Sequence, residues 1–259
     1  MDRLNELLAK GRRLVEEGEY KQALPFLREA ESLCDDSVEL CLLLGEALSE
    51  EGQSQTALKC LRKARKKDAD NIDLLYALGD LLLEGASMDE ALECYQRIVQ
   101  LDPEEDDAWV SQALVYVSLE QPQLAEKACR RALKVNPESS FALNALGDVC
   151  DSLGQEVEAL ACYRKVLELD PEDAQAHLNL GEYYYDSGDL IHAEKHCQQA
   201  IEFDPGLTFA CLTLGNICMD LDRNDDAMNW FQQFLMLETD PAAKQIRDEV
   251  SAVVEGLKS

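Results

Sequence analysis

The stretch IDLLYALGDLLLEGASMDEALECYQRIVQLDPEE, residues 72–105, aligns without a gap with two later stretches of equal length. These are SFALNALGDVCDSLGQEVEALACYRKVLELDPED at residues 140–173 and AQAHLNLGEYYYDSGDLIHAEKHCQQAIEFDPGL at residues 174–207. A fixed period of this size is the signature of a repeat architecture. Extending the register in both directions predicts seven copies without an insertion, at residues 4–37, 38–71, 72–105, 106–139, 140–173, 174–207 and 208–241.

Several columns of this alignment accept few residue types. The eighth residue of a copy is glycine, or alanine at Ala113, and the twentieth is alanine in all seven copies. Small residues at these positions let two helices approach closely. The thirty-second residue is proline in four copies, which suits the first turn of a following helix. Glycines between the two apolar faces predict helix ends in left-handed backbone, at Gly18, Gly52, Gly154 and Gly188. Each copy is therefore predicted to form a helix, a tight turn and a second helix.

These columns resemble the tetratricopeptide repeat. The resemblance rests on the small residue at position 8, alanine at position 20, proline at position 32, and an aromatic residue at position 24 in Tyr95, Tyr163 and Phe231. It covers nearly the whole chain. It implies an all-α fold, a right-handed α-solenoid (superhelix) of seven helix-turn-helix repeats, whose first helices line a concave groove.

The segment after the seventh copy, residues 242–259, is predicted to be a C-terminal capping helix. A helical hairpin cannot bury its apolar face alone, so the last repeat needs a cover. Ile246, Val250, Val253 and Leu257 fall on one face of this segment and are predicted to form its apolar stripe.

Composition restricts the classes of function. The chain of 259 residues has a formal charge of −28. Such a surface repels nucleic acid and anionic lipid, so neither nucleic acid nor a membrane is predicted as a partner. The N-terminus has no apolar signal region, and the ten cysteines form no C-x-x-C pair, so a cytoplasmic location is predicted. No nucleotide-binding or hydrolase motif occurs, so the protein is predicted not to be an enzyme and to need no cofactor.

All three histidines lie between residues 177 and 196. His192 and His196 are four residues apart and Cys197 follows, which is a spacing that a metal site can use. In the repeat register, however, His177, His196 and Cys197 stand at positions that other copies fill with packing residues such as cysteine, leucine and tyrosine. Packing is the favoured interpretation, and no metal ligands are predicted.

The resemblance places positions 2, 5, 6, 9, 12 and 13 of each first helix in the groove. Thirteen acidic residues occupy these positions, against one basic residue, Arg12. Aromatic residues among them are plausible anchors for a ligand, unless neighbouring helices cover them. Amides among them could hold a peptide backbone. The predicted peptide-binding residues are Glu46, Tyr76, Asp80, Phe141, Asn144, Asp148, Asn179, Glu182, Tyr185, Phe209 and Asn216.

The sequence therefore supports three hypotheses. The first is a non-catalytic scaffold or adaptor that binds a basic or partly apolar segment of another protein in the acidic groove. The second is a structural protein that forms a homo-oligomer or is a fixed subunit of a complex, through its ends and convex face. The third, least favoured, is a metal- or redox-linked protein that uses His192, His196 and Cys197.

Overall fold

The computed structural model describes residues 2–33 and 37–257, and these residues form helices and turns without a strand. They divide into two compact units, residues 1–137 and 138–259. The helices of unit one are α1 (Asp2–Glu16), α2 (Tyr20–Leu33), α3 (Val38–Glu50), α4 (Ser54–Arg65), α5 (Ile72–Glu84), α6 (Met88–Leu101), α7 (Asp106–Ser118) and α8 (Pro122–Val135). The α-helices of unit two are α9 (Ser140–Ser152), α10 (Glu156–Leu169), α11 (Ala174–Asp186), α12 (Leu190–Phe203), α13 (Thr208–Asp220), α14 (Asn224–Leu237) and α15 (Lys244–Leu257).

Within each unit, every odd-numbered helix from α1 to α13 packs against the helix that follows it, which confirms the all-α fold class built from helix-turn-helix pairs. From α3 to α13, these first helices begin at the residue where the register starts a copy. Side chains at the thirty-fourth position explain several of these starts. Ser37, Asn71, Ser139 and Asp173 each accept a hydrogen bond from the backbone N–H three residues later, at 2.7–3.3 Å. Residues 34–36, which include Cys34, lie outside the described residues, as do residues 258–259 of the predicted cap.

The turn inside each pair has the left-handed residue that the glycines predict. Gly18, Gly52, Gly154 and Gly188 have φ between 70° and 80°. The other three copies adopt the same conformation at the same position without glycine, in Ala86, Glu120 and Asp222, with φ of 55–56°. In all seven turns, the next backbone N–H donates to the carbonyl five residues earlier at 2.7–2.8 Å, so the helix end is closed identically.

The close approach of the paired helices depends on the small residues at positions 8 and 20. All seven alanines at position 20 are fully buried. A Cβ atom added to Gly147 would lie 2.2 Å from Tyr163 Cε1, and one added to Gly215 would lie 2.3 Å from Phe231 Cε1. Glycine at position 8 therefore makes room for the aromatic ring at position 24.

Helix α15 packs on α14, as a cap requires, but one residue of the predicted stripe is wrong. Val250 and Val254 are buried, with 5% exposed surface each, whereas Val253 is 40% exposed. Ile246 and Leu257 pack against the same core as Val250. Valines 253 and 254 are neighbours on the helix, and the rotation of α15 against Phe231 and Phe234 selects the second of them.

Among residues 2–33 and 37–257, no helix combines the length and the apolar composition that crossing a membrane requires.

Candidate peptide-binding face

We call positions 2, 5, 6, 9, 12 and 13 of the first helices the first-helix face. Two of its acids, Asp80 and Asp148, accept hydrogen bonds from tyrosines of the second helices. Tyr95 on α6 donates to Asp80 Oδ1 on α5 at 2.6 Å. Tyr163 on α10 donates to Asp148 Oδ1 on α9 at 2.9 Å. Each ring lies against the glycine at position 8, where a Cβ atom would block it, and its hydroxyl reaches the acid at position 9. Burial, together with the neighbouring aspartate, raises the pKa of both phenols, which keeps them as donors.

In unit two, the tyrosine bond is part of a longer network. Asp148 Oδ1 also accepts from Asn179 Nδ2 at 2.9 Å, and Asn179 Oδ1 accepts from Gln175 Nε2 at 2.7 Å. The amide of Asn179 is thus engaged inside the protein. Neither of the two bonds to Asp148 uses Oδ2, and the side chain remains exposed to solvent. Burial nevertheless raises the pKa of Asp148, against the effect of the Tyr163 hydrogen bond, which lowers it.

The other predicted amides have a different environment. Asn144 is buried on α9, and its Oδ1 atom has no hydrogen-bond partner among the described residues. An unpaired acceptor in such a place is costly unless a donor reaches it. Asn216 is half-buried on α13. The three amides therefore differ in their environment. Asn179 is bonded inside the protein, Asn144 has an unpaired acceptor that is closed to solvent, and Asn216 is partly exposed.

Glu182 on α11 is the most strongly perturbed acid of the face. Burial raises the pKa of its carboxyl group to about 7, and the charges of Asp148 and Asp186 act in the same direction. Thr213 Oγ1 lies 3.5 Å from Glu182 Oε1 but only 3.1 Å from the carbonyl oxygen of Phe209. Since O–H···O hydrogen bonds usually measure 2.5–3.0 Å, the threonine gives Glu182 little support. A cation brought next to Glu182 would offset the repulsion between Glu182 and the two aspartates.

The predicted aromatic anchors fall into two groups. Phe141 and Phe209 each expose 46% of their surface. Tyr76 and Tyr185 are half-buried, and Tyr76 donates to Glu105 Oε2 at 3.3 Å. Neighbouring residues therefore cover the two tyrosines in part, while the two phenylalanines of unit two remain accessible to a ligand.

In unit one, the structure brings Glu46 and Asp80 to the wall of a single pocket between α3 and α5. Glu46 is exposed, and burial of part of its side chain followed by the charge of Glu50 raises its pKa. The residues of the first helices alone did not predict that position 24, on the second helix, bonds the acid at position 9. The sequence does carry a signal for it, because tyrosine at position 24 coincides with aspartate at position 9 in Tyr95 with Asp80 and Tyr163 with Asp148.

His177 and His196 pair with each other, whereas His192 Nδ1 lies 2.7 Å from Asp189 Oδ2 on the same turn of chain. His177 Nδ1 lies 3.0 Å from His196 Nδ1, and His177 Nε2 lies 3.1 Å from the carbonyl oxygen of Pro171. The carbonyl must accept from Nε2–H, so His177 Nδ1 accepts from His196 Nδ1–H. Burial lowers the pKa of His196 to about 4, and burial raises that of the Cys197 thiol to about 12. Within the described part of the chain, no three His, Cys, Asp or Glu side chains are grouped to hold a metal ion.

Comparison with known families addresses the repeat itself. Profiles described as "Tetratricopeptide repeat" match residues 42–106, 110–161, 174–207 and 210–241, and a profile described as "TPR repeat" matches residues 147–188. The chain belongs to the tetratricopeptide repeat (TPR) family. TPR proteins present extended surfaces to other proteins, so this TPR protein has the architecture of a protein–protein interaction scaffold. Comparison of its sequence with curated proteins finds no match.

Solved structures share the fold at low sequence identity. A tetratricopeptide repeat protein from Parabacteroides merdae ATCC 43184 has a TM-score of 0.83 and 18% identity, with 100% of both chains covered. PilF of Pseudomonas aeruginosa has a TM-score of 0.65 and 21% identity, covering 79% of this TPR chain and 93% of its own. YrrB, a TPR protein with an unusual peptide-binding site, has a TM-score of 0.50 and 24% identity. The match covers 71% of this TPR chain and 95% of the YrrB chain.

Proposed function

We propose that this TPR protein is a non-catalytic scaffold or adaptor that binds a basic, partly apolar segment of a partner protein on its first-helix face. The observation that carries the proposal is in unit two, where accessible Phe141 and Phe209 accompany the acids Asp148 and Glu182. Apolar side chains give binding energy, while carboxylates that resist ionisation gain from a cationic partner. YrrB offers a precedent for peptide binding by a TPR protein.

Two features of the network support a segment with hydrogen-bond donors. The Oδ2 atom of Asp148 takes part in neither of the hydrogen bonds to that side chain, which is exposed, so a basic side chain or a backbone N–H of the segment can donate to it. Asn179 is already bonded to Gln175 and Asp148, so its proposed role is to orient Asp148 for the partner. We propose the cytoplasm as the location of this protein. Neither nucleic acid nor a membrane is proposed as a partner.

A peptide-binding measurement tests the proposal. We expect fluorescence anisotropy to show binding of synthetic peptides that combine Lys or Arg with aromatic residues, and weaker binding at high salt. Peptides with Asp or Glu in place of the basic residues should not bind. Equal binding of both peptide classes would refute a charge-selective face.

Variants locate the binding surface. Asp148→Lys with Glu182→Lys should abolish binding of the basic peptides, and Asp148→Asn with Glu182→Gln should weaken it with less disturbance of the network. The matched control is Glu168→Lys with Glu202→Lys, which makes the same charge change at exposed residues of α10 and α12. If the control reduces binding as much as the first pair, net charge alone is responsible, and the first-helix face is not the site.

A second candidate function, self-assembly through the second helices, has one observation in its favour. Val157 on α10 and Ile191 on α12 occupy the same position in successive copies and expose 86% and 82% of their surface. Large apolar side chains this exposed are typical of contact surfaces when they occur together. Light scattering over a range of concentrations tests it. A mass that stays at the monomer value of 29.0 kDa at all concentrations excludes self-association.

A further inference from the structure

The first-helix face of unit one contains a pocket of about 350 Å³ between α3 and α5. Its volume lies within the range of about 300–1,000 Å³ found for small-ligand sites. The floor is apolar and comes from both first helices and from α4. It consists of Leu42, Gly45, Leu61, Ala77 and Leu81.

The pocket exists because position 24 of the second copy is leucine. In the third and fifth copies, a tyrosine at this position lies against the glycine and bonds the acid at position 9, as Tyr95 does with Asp80. Leu61 also lies against its glycine, since a Cβ atom on Gly45 would be 2.8 Å from Leu61 Cδ2. Leucine, however, lacks the hydroxyl end of the ring. The space in front of it stays open, and Glu46 receives no phenol hydrogen bond.

The rim of the pocket is acidic, with Glu46 and Glu50 from α3 and Asp80 and Glu84 from α5. None of the residues that line it is basic. All four acids are exposed, so the charged rim is open to solvent above the apolar floor. Burial of part of the Glu46 side chain, followed by the charge of Glu50, raises the pKa of Glu46, so both the desolvation and the repulsion at the rim favour a cation beside it. A cation with an apolar stem complements both layers.

The same unit already places a guanidinium group against such acids. Arg12 on α1 stands at position 9 of the first copy and pairs with Glu39 on α3. The hydrogen bond and charge of Glu39, and further the charge of Glu16, raise the pKa of Arg12. An arginine head group can therefore lie against acids of this face, as that of Arg12 does. The rim of the pocket between α3 and α5 offers acids but has no arginine of its own.

We infer that this pocket receives the side chain of one arginine in the partner segment, with the methylene stem on the apolar floor and the guanidinium among Glu46, Glu50, Asp80 and Glu84. The planar guanidinium has five donors and suits several carboxylates at once. The inference rests on the proposed function and adds a specific subsite in unit one to it. It makes the residue at position 24 the determinant of arginine recognition.

A methyl NMR titration tests the subsite with the intact chain. The probe is the tripeptide amide Ac-Ala-Arg-Ala-NH₂, observed through the leucine methyl groups of Leu42, Leu61 and Leu81. We expect saturable shifts at these leucines, and affinity about tenfold lower for the citrulline analogue, which keeps the shape but loses the charge. Equal shifts with arginine and citrulline, or shifts elsewhere only, would overturn the inference. A lysine analogue that binds as well as arginine would also overturn the preference for guanidinium.

Two variants separate the pocket from general charge. Leu61→Tyr with Glu46→Asp reproduces the pair found in Tyr95 with Asp80, so it should fold, close the pocket and abolish the shifts. Glu50→Gln with Glu84→Gln, both at exposed residues, should weaken arginine binding by severalfold. Leu27→Tyr makes only the position-24 change, in the first copy, whose position 24 does not line the pocket, and should leave the titration unchanged.

These measurements distinguish failure of the subsite from failure of the proposed function. If basic peptides still bind and lose affinity with Asp148→Lys and Glu182→Lys, but closing the pocket changes nothing, the arginine subsite is wrong and the proposed function stands. If the tripeptide still shifts the three leucines, but Asp148→Lys with Glu182→Lys leaves binding of the longer basic peptides unchanged, the subsite stands and the proposed binding surface of unit two is wrong.

Discussion

The fifteenth residue of each copy adopts left-handed backbone whatever its side chain, so three copies carry strain that the others avoid. For Ala86, with φ of 55°, this conformation costs about 1–2 kcal/mol relative to right-handed backbone. Glycine removes the strain but loses more entropy on folding, about 0.5–1 kcal/mol. We therefore expect Ala86→Gly to raise the free energy of unfolding by about 0.5–1 kcal/mol, measured by urea denaturation.

The reverse substitution is the matched control. A Cβ atom on Gly154, with φ of 70°, would have nothing within 4 Å, so only the backbone opposes it. Gly154→Ala should lower the free energy of unfolding by about 1 kcal/mol. If both substitutions change stability in the same direction, strain at this position is not the cause.

Glu182 predicts a particular dependence of stability on pH. Its folded pKa of about 7 lies above the ordinary value of 4.5, so the folded protein binds more protons than the unfolded chain between these values. The contribution of Glu182 to stability therefore falls as pH rises from about 4.5 to about 7 and stays constant above that. Glu182→Gln should be more stable than the parent at pH 8, by on the order of 2–3 kcal/mol, and equal to it near pH 4.

The difference in urea unfolding free energy between parent and variant, followed over this pH range, checks the prediction. Glu168→Gln on α10 serves as the control at an exposed acid, and its difference from the parent should be small and nearly independent of pH. A constant difference for Glu182→Gln as well would mean that Glu182 titrates normally.

At the scale of single residues, the sequence predicted what repeats and missed what varies between copies. The left-handed glycines Gly18, Gly52, Gly154 and Gly188 were predictable because the turn needs them. The same conformation in Glu120 could follow only from the register, since glutamate itself disfavours it. The Tyr163 bond to Asp148 depends on the separation of two helices, which residue types do not specify.

At the scale of helices, the cap α15 allows a direct comparison of two adjacent valines. Val254 is buried against the core that contains Phe231 and Phe234, whereas Val253 is 40% exposed. Val254→Asp would bury an unpaired charge and should cost about 2–4 kcal/mol. Val253→Asp should cost less than about 1 kcal/mol. Thermal denaturation of both variants measures the difference, and equal losses would place α15 in another rotation.

From α3 to α13, the starts of the first helices were predictable to the residue from the register, and in several copies a capping side chain precedes the start, as Asn71 does for α5. The rotation of α15 was not predictable in the same way. Its apolar residues include two consecutive valines, and a helical pattern cannot tell which of them points at α14. Packing against α14 decides which of the two valines is buried, and the sequence of α15 alone does not specify that packing.

At the scale of the whole molecule, the charge of −28 predicts a response to salt. The chain has 52 acidic and 24 basic residues, so most acids have no basic partner and repel one another. Salt screens this repulsion, and it also weakens exposed ion pairs such as Arg97 with Asp70. Because unpaired acids outnumber pairs, we expect added NaCl to raise the melting temperature by about 5 °C.

Calorimetry at low and moderate NaCl checks this expectation, with a neutral osmolyte at matched osmolality as the control for effects unrelated to charge. A melting temperature that falls with NaCl would show that ion pairs dominate. Net charge and its sign were fully available from the sequence. The distribution of free and bonded acids over the first-helix face was not, because it depends on the tyrosines of the second helices.

The hydrogen bonds from Tyr95 and Tyr163 imply that selection on ligand preference can act on residues that no ligand touches. Exchanging the buried Tyr95 for leucine would release Asp80 from its phenol hydrogen bond and open space beside it, without altering the outer surface. Homologues with identical surface residues could then differ in what they bind. The specificity of such repeats would therefore be determined by pairs of residues, one from each helix of the hairpin.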